Sequence, residues 1–448
     1  MLDIKTQNVK FLKEHPSFCV LAFAHLRVQV TNYDGWEDPM NACVGSLCCS
    51  APAPVEVKLN GSLNDIIQHK DFKQDREMFY TNKLPPQCEY ACSLNYEHET
   101  KREIVNRYMY IDIISYEEVF KQPKVKIIDY NFGNECNLAC RMCSVGSSNQ
   151  IAVVASKAVS SIDNTKKLIE FGVNDLSPEN SIEENIEILK DGKFLKRELP
   201  SDLEAIKEVL PNLIELQIAG GEPFVSKDVE KLLLAAIERG DNNHIALEIT
   251  TNGTKFVEEK LDIFLQFKMI RLIISIDGTG STYEYIRYPF TFKIIEKRLR
   301  DIVKYVIKNN LKEKISFNFA CVGILYNLYD YENLYSFLCN IFDGVTYKDR
   351  PPVIQLIPDI NGKGNETHAL SWDNIPNEVL NDALLSYKET QALWYLKFKE
   401  YVITRTQDAQ PKGMLYAKEH TILLDKLHER KYNEYLHPKL IKYIDSIK

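Results

Sequence analysis

The sequence predicts an α/β protein built on a parallel sheet, and two observations carry that expectation. Short β-branched runs bounded by turn residues recur at 125–132, 213–221, 245–253, 269–278, 315–323 and 352–359. Between several of them lie segments whose apolar residues follow the helical period. Strands that alternate with amphipathic helices build parallel sheets with crossover connections. The pattern allows an open sheet or a partial barrel, and in both the reactive loops lie at the strand C-termini.

The helices carry their own punctuation. "LPSDLEAIKEVLPN" places Ser201 as an N-cap with Glu204 three residues on; "SKDVEKLLLAAIERG" has Ser226 before it and Gly240 after it; "TFKIIEKRLRDIVKYVIKNN" is a long amphipathic run. Between the first and second strands, "SSNQIAVVASKAVSSIDNTKKLIE" reads as a helix and "SPENSIEENIEILKDGKF" as an acidic, polar stretch. This connection is either a lid or substrate-facing insert, or a solvated excursion. After residue 360, "NGKGNETHALS" has the composition of a linker. The tail then reads as helices, whose aromatic and leucine positions suit packing on the core or an oligomer contact.

Composition narrows the function classes. The chain has 448 residues, 45% hydrophobic and 26% charged, as in ordinary globular proteins. Its formal charge of -8 supplies no basic field, so no nucleic-acid partner is expected. The N-terminal stretch has no secretory pattern and no apolar run approaches the length that spans a bilayer, so the expectation is a cytoplasmic protein without a membrane partner. The 11 cysteines are then expected reduced, and clustered thiols point to metal or catalysis before disulfides. Cys321 and Cys339, isolated in apolar settings, read as small core residues. His25 and His98 are not counted as ligands.

Cys136, Cys140 and Cys143 fall within "CNLACRMC", directly after the first central strand. "GGEP" (Gly220 to Pro223), "TTNG" and "SIDG" end the next three strands, so all four motifs converge on one rim. Thiolate is a soft ligand for zinc or iron–sulfur centres, and a structural zinc site is normally closed by four protein ligands. Three thiols suit a four-iron cubane with one iron left open, while zinc remains open if a distant cysteine or histidine completes the set.

The C-x3-C-x2-C run followed by "AGGEP" resembles the signature of the radical S-adenosylmethionine enzymes, over roughly residues 124–360. The resemblance implies a partial (β/α)6 TIM-type barrel. It also implies that Cys136, Cys140 and Cys143 ligate a 4Fe-4S cluster whose open iron is chelated by S-adenosylmethionine. Reductive cleavage would give a 5'-deoxyadenosyl radical that abstracts hydrogen from substrate, with an electron donor such as flavodoxin or ferredoxin. By position, Met142 would lie against the adenine, and Gly220 and Gly221 would admit the methionyl group. Glu222 and Pro223 would fix the turn and the amino-group contacts. Asn252, Ser275 and Asp277 would be polar contacts, and Arg287 a carboxylate partner whose planar fork suits bidentate recognition. No catalytic acid or base is identified.

The N-terminal third resembles twitch, the short relative of the SPASM auxiliary-cluster module, through Phe18-Cys19, a later Cys-Cys pair, Gly61-Ser62-Leu63 before a short helix, and a thiol pair after Pro-Pro. The resemblance implies a second 4Fe-4S cluster on Cys19, Cys48, Cys88 and Cys92, with Cys49 or Cys43 able to replace Cys48. The later pair departs from the module in being C-x3-C. The expected division is an auxiliary module at 1–123, a radical core at 124–360 and a helical extension at 361–448. Substrates would be a peptide, a protein or a small molecule. The rival reading is a degenerate barrel that serves as a zinc- or iron–sulfur-stabilised binding or electron-transfer protein.

Overall fold

The computed structural model describes residues 3–30, 42–48, 55–58, 62–86, 88, 92, 100–159, 184, 187, 200–256, 258–345, 352–357, 369–405 and 407–447. All six expected central strands are present: β4 (Ile127–Asn131), β5 (Glu215–Ala219), β6 (Ala246–Thr251), β7 (Met269–Ser275), β8 (Ile315–Val322) and β9 (Ile354–Ile357). Each pairs in parallel with the next. This is the parallel sheet of a partial TIM-type barrel, with a helical C-terminal region beside it.

The sheet is one parallel strand wider than the pattern predicts. The apolar stretch "FCVLAFAHLRV", outside the predicted strands, forms a short helix, Val20–Ala24, and then a strand, β1 (His25–Val30). β1 joins β4 in parallel, with Arg27 opposite Asp129. Its other edge carries an antiparallel ribbon, β2 (Ala42–Ser46) and β3 (Val55–Lys58), giving the order β3-β2-β1-β4-β5-β6-β7-β8-β9. The fully apolar run masks the helix-to-strand change, because continuous hydrophobicity has no period to read.

Alternation along β5 to β8 sorts the side chains. Leu216, Ile218, Leu247, Ile249, Leu272, Ile274, Phe317 and Phe319 are buried in the main core. The opposite face is polar. One cross-strand row runs Arg27, Asp129, Gln217, Glu248, Arg271 in register. Arg271 pairs with Glu248 at 2.5 Å and Glu215 at 3.2 Å, and Arg27 with Asp129 at 3.5 Å. Partly buried ions of both signs therefore compensate one another on this face of the sheet.

The helix caps follow the sequence where it was specific. Ser226 accepts from the Val229 amide and Gly240, at φ +79, ends Lys227–Arg239. Ser62 and Asp65 form a capping box on Leu63–Ile67. Ser201, by contrast, lies inside the helix Pro200–Val209, not at its cap.

Among the described residues the tail holds five α-helices: Asn377–Ser386, Leu393–Thr404, Pro411–His428, Tyr432–Tyr435 and Pro438–Ser446. Trp372, Trp394 and Phe398 bury rings against Tyr331 and Tyr387, so the tail covers the barrel. Residues 160–170 of the expected helix at 147–170, all but 184 and 187 of the acidic stretch at 177–194, residues 361–368 of the expected linker, Cys49, His98 and the Cys43 side chain lie outside the described residues.

Candidate active site

The loop that follows β4 carries the three central cysteines, and its backbone is clamped from three directions. The Gly221 amide donates to the Gly133 carbonyl at 2.9 Å and the Glu222 amide to the Glu135 carbonyl at 2.7 Å, which tie the end of β5 to the loop. Ala139 and Arg141 donate to the carbonyls of Tyr288 and Ile286 at 2.8 and 3.0 Å. The helix Asn149–Val159 closes the third side: the Cys136 amide donates to the Asn149 side-chain oxygen at 3.1 Å, and the Ser148 hydroxyl to the Leu138 carbonyl at 2.5 Å. Backbone groups that would otherwise be buried without partners are thereby satisfied.

The glycines owe their identity to this docking. A β-carbon at Gly221 would meet the Glu135 backbone, 2.7 Å from its carbonyl carbon and 2.9 Å from its nitrogen. Gly220, at φ +97, has the Gly133 oxygen 2.7 Å from where its β-carbon would stand. The sequence motif anticipates close backbone approach; the structure identifies the cysteine loop as one partner in it.

Glu222 lies fully buried behind the loop. Its carboxylate accepts from the Thr251 hydroxyl at 2.7 Å, the Asn252 amide at 2.7 Å and the Phe224 amide at 3.1 Å. Burial pushes its pKa up to about 6, against the pull of those donors and of Arg287. Asn252 continues the network: its side-chain amide donates to the Asn137 oxygen at 3.0 Å and approaches the Cys136 sulfur at 3.8 Å. Thr254 closes the ring, donating to the Asn252 oxygen at 2.6 Å and accepting from Asn137 at 2.8 Å. Thr251 belongs to "TTNG"; Asn137 and Thr254 carried no motif of their own, and their adjacency to Cys136 and to "TTNG" was the available signal.

Asp277 and Arg287 form a buried ion pair at 2.6 Å, with side-chain exposures of 0% and 8%. The other Asp277 oxygen accepts from the Val322 amide at 2.7 Å, and Asn327 donates to the Asp277 carbonyl at 3.0 Å. Arg287 acts electrostatically on Cys136, Cys140 and Glu222, favouring the ionised form of each. Met142 is buried at the edge of the main core, and Ser275 stands half-buried at the end of β7. Pro223 lines a crevice with Val229, Ile263 and Phe264.

Burial, Cys140 and Glu222 push the Cys136 thiol up to about 12. Cys140 is raised well above the ordinary thiol value by its hydrogen bond with Cys143 and by burial. Among the described residues no His, Cys, Asp or Glu group is gathered closely enough to hold a single metal ion. A cubane binds each of its thiols at a different iron, and three soft donors on one clamped loop fit that demand.

In the N-terminal third, Cys19, Cys88 and Cys92 are electrostatic neighbours. Burial and Cys92 raise Cys19 to about 11; burial, Cys19 and Cys92 raise Cys88 to about 12. Cys48, just past β2, is half-buried against the core.

The model of the Radical SAM superfamily matches residues 130–338. No curated protein matches the chain. Among solved structures, the chain is similar to Streptococcus suis SuiB bound to S-adenosylmethionine, at 14% identity and a TM-score of 0.32, over 77% of this chain and 61% of that one. It is also similar to SuiB bound to its precursor peptide SuiA, at 17% identity and a TM-score of 0.28, over 62% of this chain and 50% of that one. The chain thus spans less than two thirds of SuiB. The family match covers every strand from β5 to β8 and all three cysteines on the clamped loop.

Proposed function

We propose that this chain is a radical S-adenosylmethionine enzyme whose 4Fe-4S cluster is held by Cys136, Cys140 and Cys143. The observation that carries this reading is the convergence of those thiols with the buried Glu222–Asn252 network and the Asp277–Arg287 pair at one end of a parallel sheet. Held by these cysteines and reduced, such a cluster would supply the electron for splitting the sulfonium of S-adenosylmethionine, the source of a 5'-deoxyadenosyl radical able to abstract hydrogen from substrate.

The chain's own residues bind and orient. Glu222 presents a carboxylate whose charge is held by three donors, suited to receive an ammonium group. Arg287, oriented through its Nε by Asp277, leaves the rest of its fork for a carboxylate. Met142 offers an apolar surface beside the third thiol, and Asn252, Ser275 and Asp277 furnish polar contacts at the strand ends. Gly220, Gly221 and Pro223 hold the turn that sets these distances. The surrounding core excludes water from the site.

The N-terminal cysteines extend the proposal. Cys19, Cys88 and Cys92, with Cys48 as the fourth ligand, would hold an auxiliary cluster; the mutual proximity of the first three supports it. With a twitch-like module the substrate would be a peptide or protein, and a flavodoxin or ferredoxin would deliver the electron. The divisions at 1–123, 124–360 and 361–448 belong to the same reading, as does a cytoplasmic location. Among the described residues no helix is long and apolar enough to cross a membrane.

The test is product formation. The anaerobically reconstituted chain, given dithionite and S-adenosylmethionine, should release 5'-deoxyadenosine and methionine. Glu222→Gln should slow that release strongly, since it removes the charge and leaves the shape. A chain fully loaded with iron that yields no 5'-deoxyadenosine would favour the electron-transfer or binding alternative.

A further inference from the structure

Arg141 stands between Cys140 and Met142, inside the ligand loop, and its side chain is completely buried. The cysteine spacing asks nothing of this position, so its charge needs a separate explanation. A guanidinium in such a place is costly unless an anion faces it. That anion comes from the tail: Asp425, on the helix Pro411–His428, lies 2.9 Å from Arg141 Nη2. The contact is ionic and not aligned as a hydrogen bond, since neither Nη atom has a hydrogen-bond partner.

The pair is framed by Tyr285. Arg141 donates through Nε to the Tyr285 carbonyl at 2.8 Å, its guanidinium lies 3.6 Å over the Tyr285 ring, and the Tyr285 hydroxyl donates to Asp425 at 2.6 Å. Asp425 is fixed in turn by the Tyr432 amide at 2.6 Å. An independent apolar contact follows the same path. Leu423 and Leu424, on the turn before Asp425, share a core with Ala139, Val145 and Ile151, and Cys143 packs against it. The tail helix thus grips the ligand loop by an ion at Arg141 and by apolar side chains on either side of it.

We propose that Asp425 is a positioning residue for the iron–sulfur ligand loop, acting through Arg141 to set where Cys140, Met142 and Cys143 stand. The C-terminal extension is then part of the reaction centre's framework as well as a cover for the barrel. This rests on the cluster assignment above. It adds that partners of ligands, one step removed, control ligand placement.

The test uses the full reconstituted chain, with two readouts besides turnover: the rate at which a chelator strips iron, and the electron paramagnetic resonance spectrum of the reduced cluster with and without S-adenosylmethionine. Asp425→Asn should lose iron about tenfold faster and show an altered spectrum, with its far-ultraviolet circular dichroism unchanged. Asp425→Glu should restore both signals. Arg141→Lys, which keeps the charge and loses the planar fork, gives a second route to the same shift if the asparagine variant folds poorly. Asp382→Ala is the control: it breaks the Lys439 pair between two tail helices, Asn377–Ser386 and Pro438–Ser446, far from the loop in sequence. An Asp425→Asn chain with wild-type stripping rate and spectrum overturns the inference, as does an equal change in Asp382→Ala. A wild-type chain that takes up no iron overturns the cluster assignment beneath it.

Discussion

Replacing Gly221 by alanine isolates the contact that fastens the second motif to the cysteine loop. The added methyl group would press on the Glu135 peptide, with the carbonyl carbon at 2.7 Å and the nitrogen at 2.9 Å. Backbone on both sides is already committed, through the hydrogen bonds from Gly221 to Gly133 and from Glu222 to Glu135. No flexible side chain can move aside, so the loop must shift. Overpacking costs about 1–3 kcal/mol. Each buried backbone group left without its partner costs about 1–3 kcal/mol more. The expected loss is therefore about 3–5 kcal/mol in urea melts. It should come with poor iron loading, because the displaced peptide leads directly into Cys136. Gly280→Ala is the reference: at φ +46 its β-carbon meets nothing within 4 Å. It should cost only about 1–2 kcal/mol for the left-handed backbone and leave iron loading intact. Equal melts and equal iron in the two variants would refute the reasoning.

Asp277→Asn strands the buried Arg287 charge and should cost about 3–5 kcal/mol, read as a lowered urea midpoint. His420 is buried and its pKa is lowered to about 4. Its neutral form is therefore favoured by folding, and stability present above 6.5 is lost as pH falls from there toward about 4. The loss from His420 should reach about 3 kcal/mol, so His420→Gln should make that part of the pH profile shallower, leaving the slope due to His428, which is also buried with its pKa lowered. Replacing Cys19, Cys88 and Cys92 together by alanine should halve the iron per reconstituted chain and keep the S-adenosylmethionine-dependent spectrum; unchanged iron would remove the auxiliary cluster from the account.

The central strands were legible because each is a short β-branched run with turn residues at its end, and β4 to β9 fall where those runs lie. The caps at Ser226 and Gly240 were legible for the same local reason. The β1 strand was not, because its pairing with β4 is a long-range event and its apolar run conceals the break at His25. At the site, the types and order of Cys136, Glu222, Asn252 and Asp277 pointed to a common rim, and the hydrogen bonds join the first three of these there. Arg287 was legible only through the resemblance, as a carboxylate partner, and the fold buries it against Asp277. Arg141 and Asp425 stand 284 positions apart in the chain, so nothing local could pair them. Helical periodicity said that the tail packs on something. Which of its charges would meet the cysteine loop depended on tertiary structure alone.

The most direct test of the central claim is iron, sulfide and zinc per chain after anaerobic reconstitution, in the wild type and in the Cys136/Cys140/Cys143→Ala triple variant. The account predicts matched iron and sulfide in the wild type. In the variant it predicts about four irons fewer per chain, with loss of the spectral response to S-adenosylmethionine. Zinc in place of iron in the wild type, or an unchanged iron content in the triple variant, would contradict it.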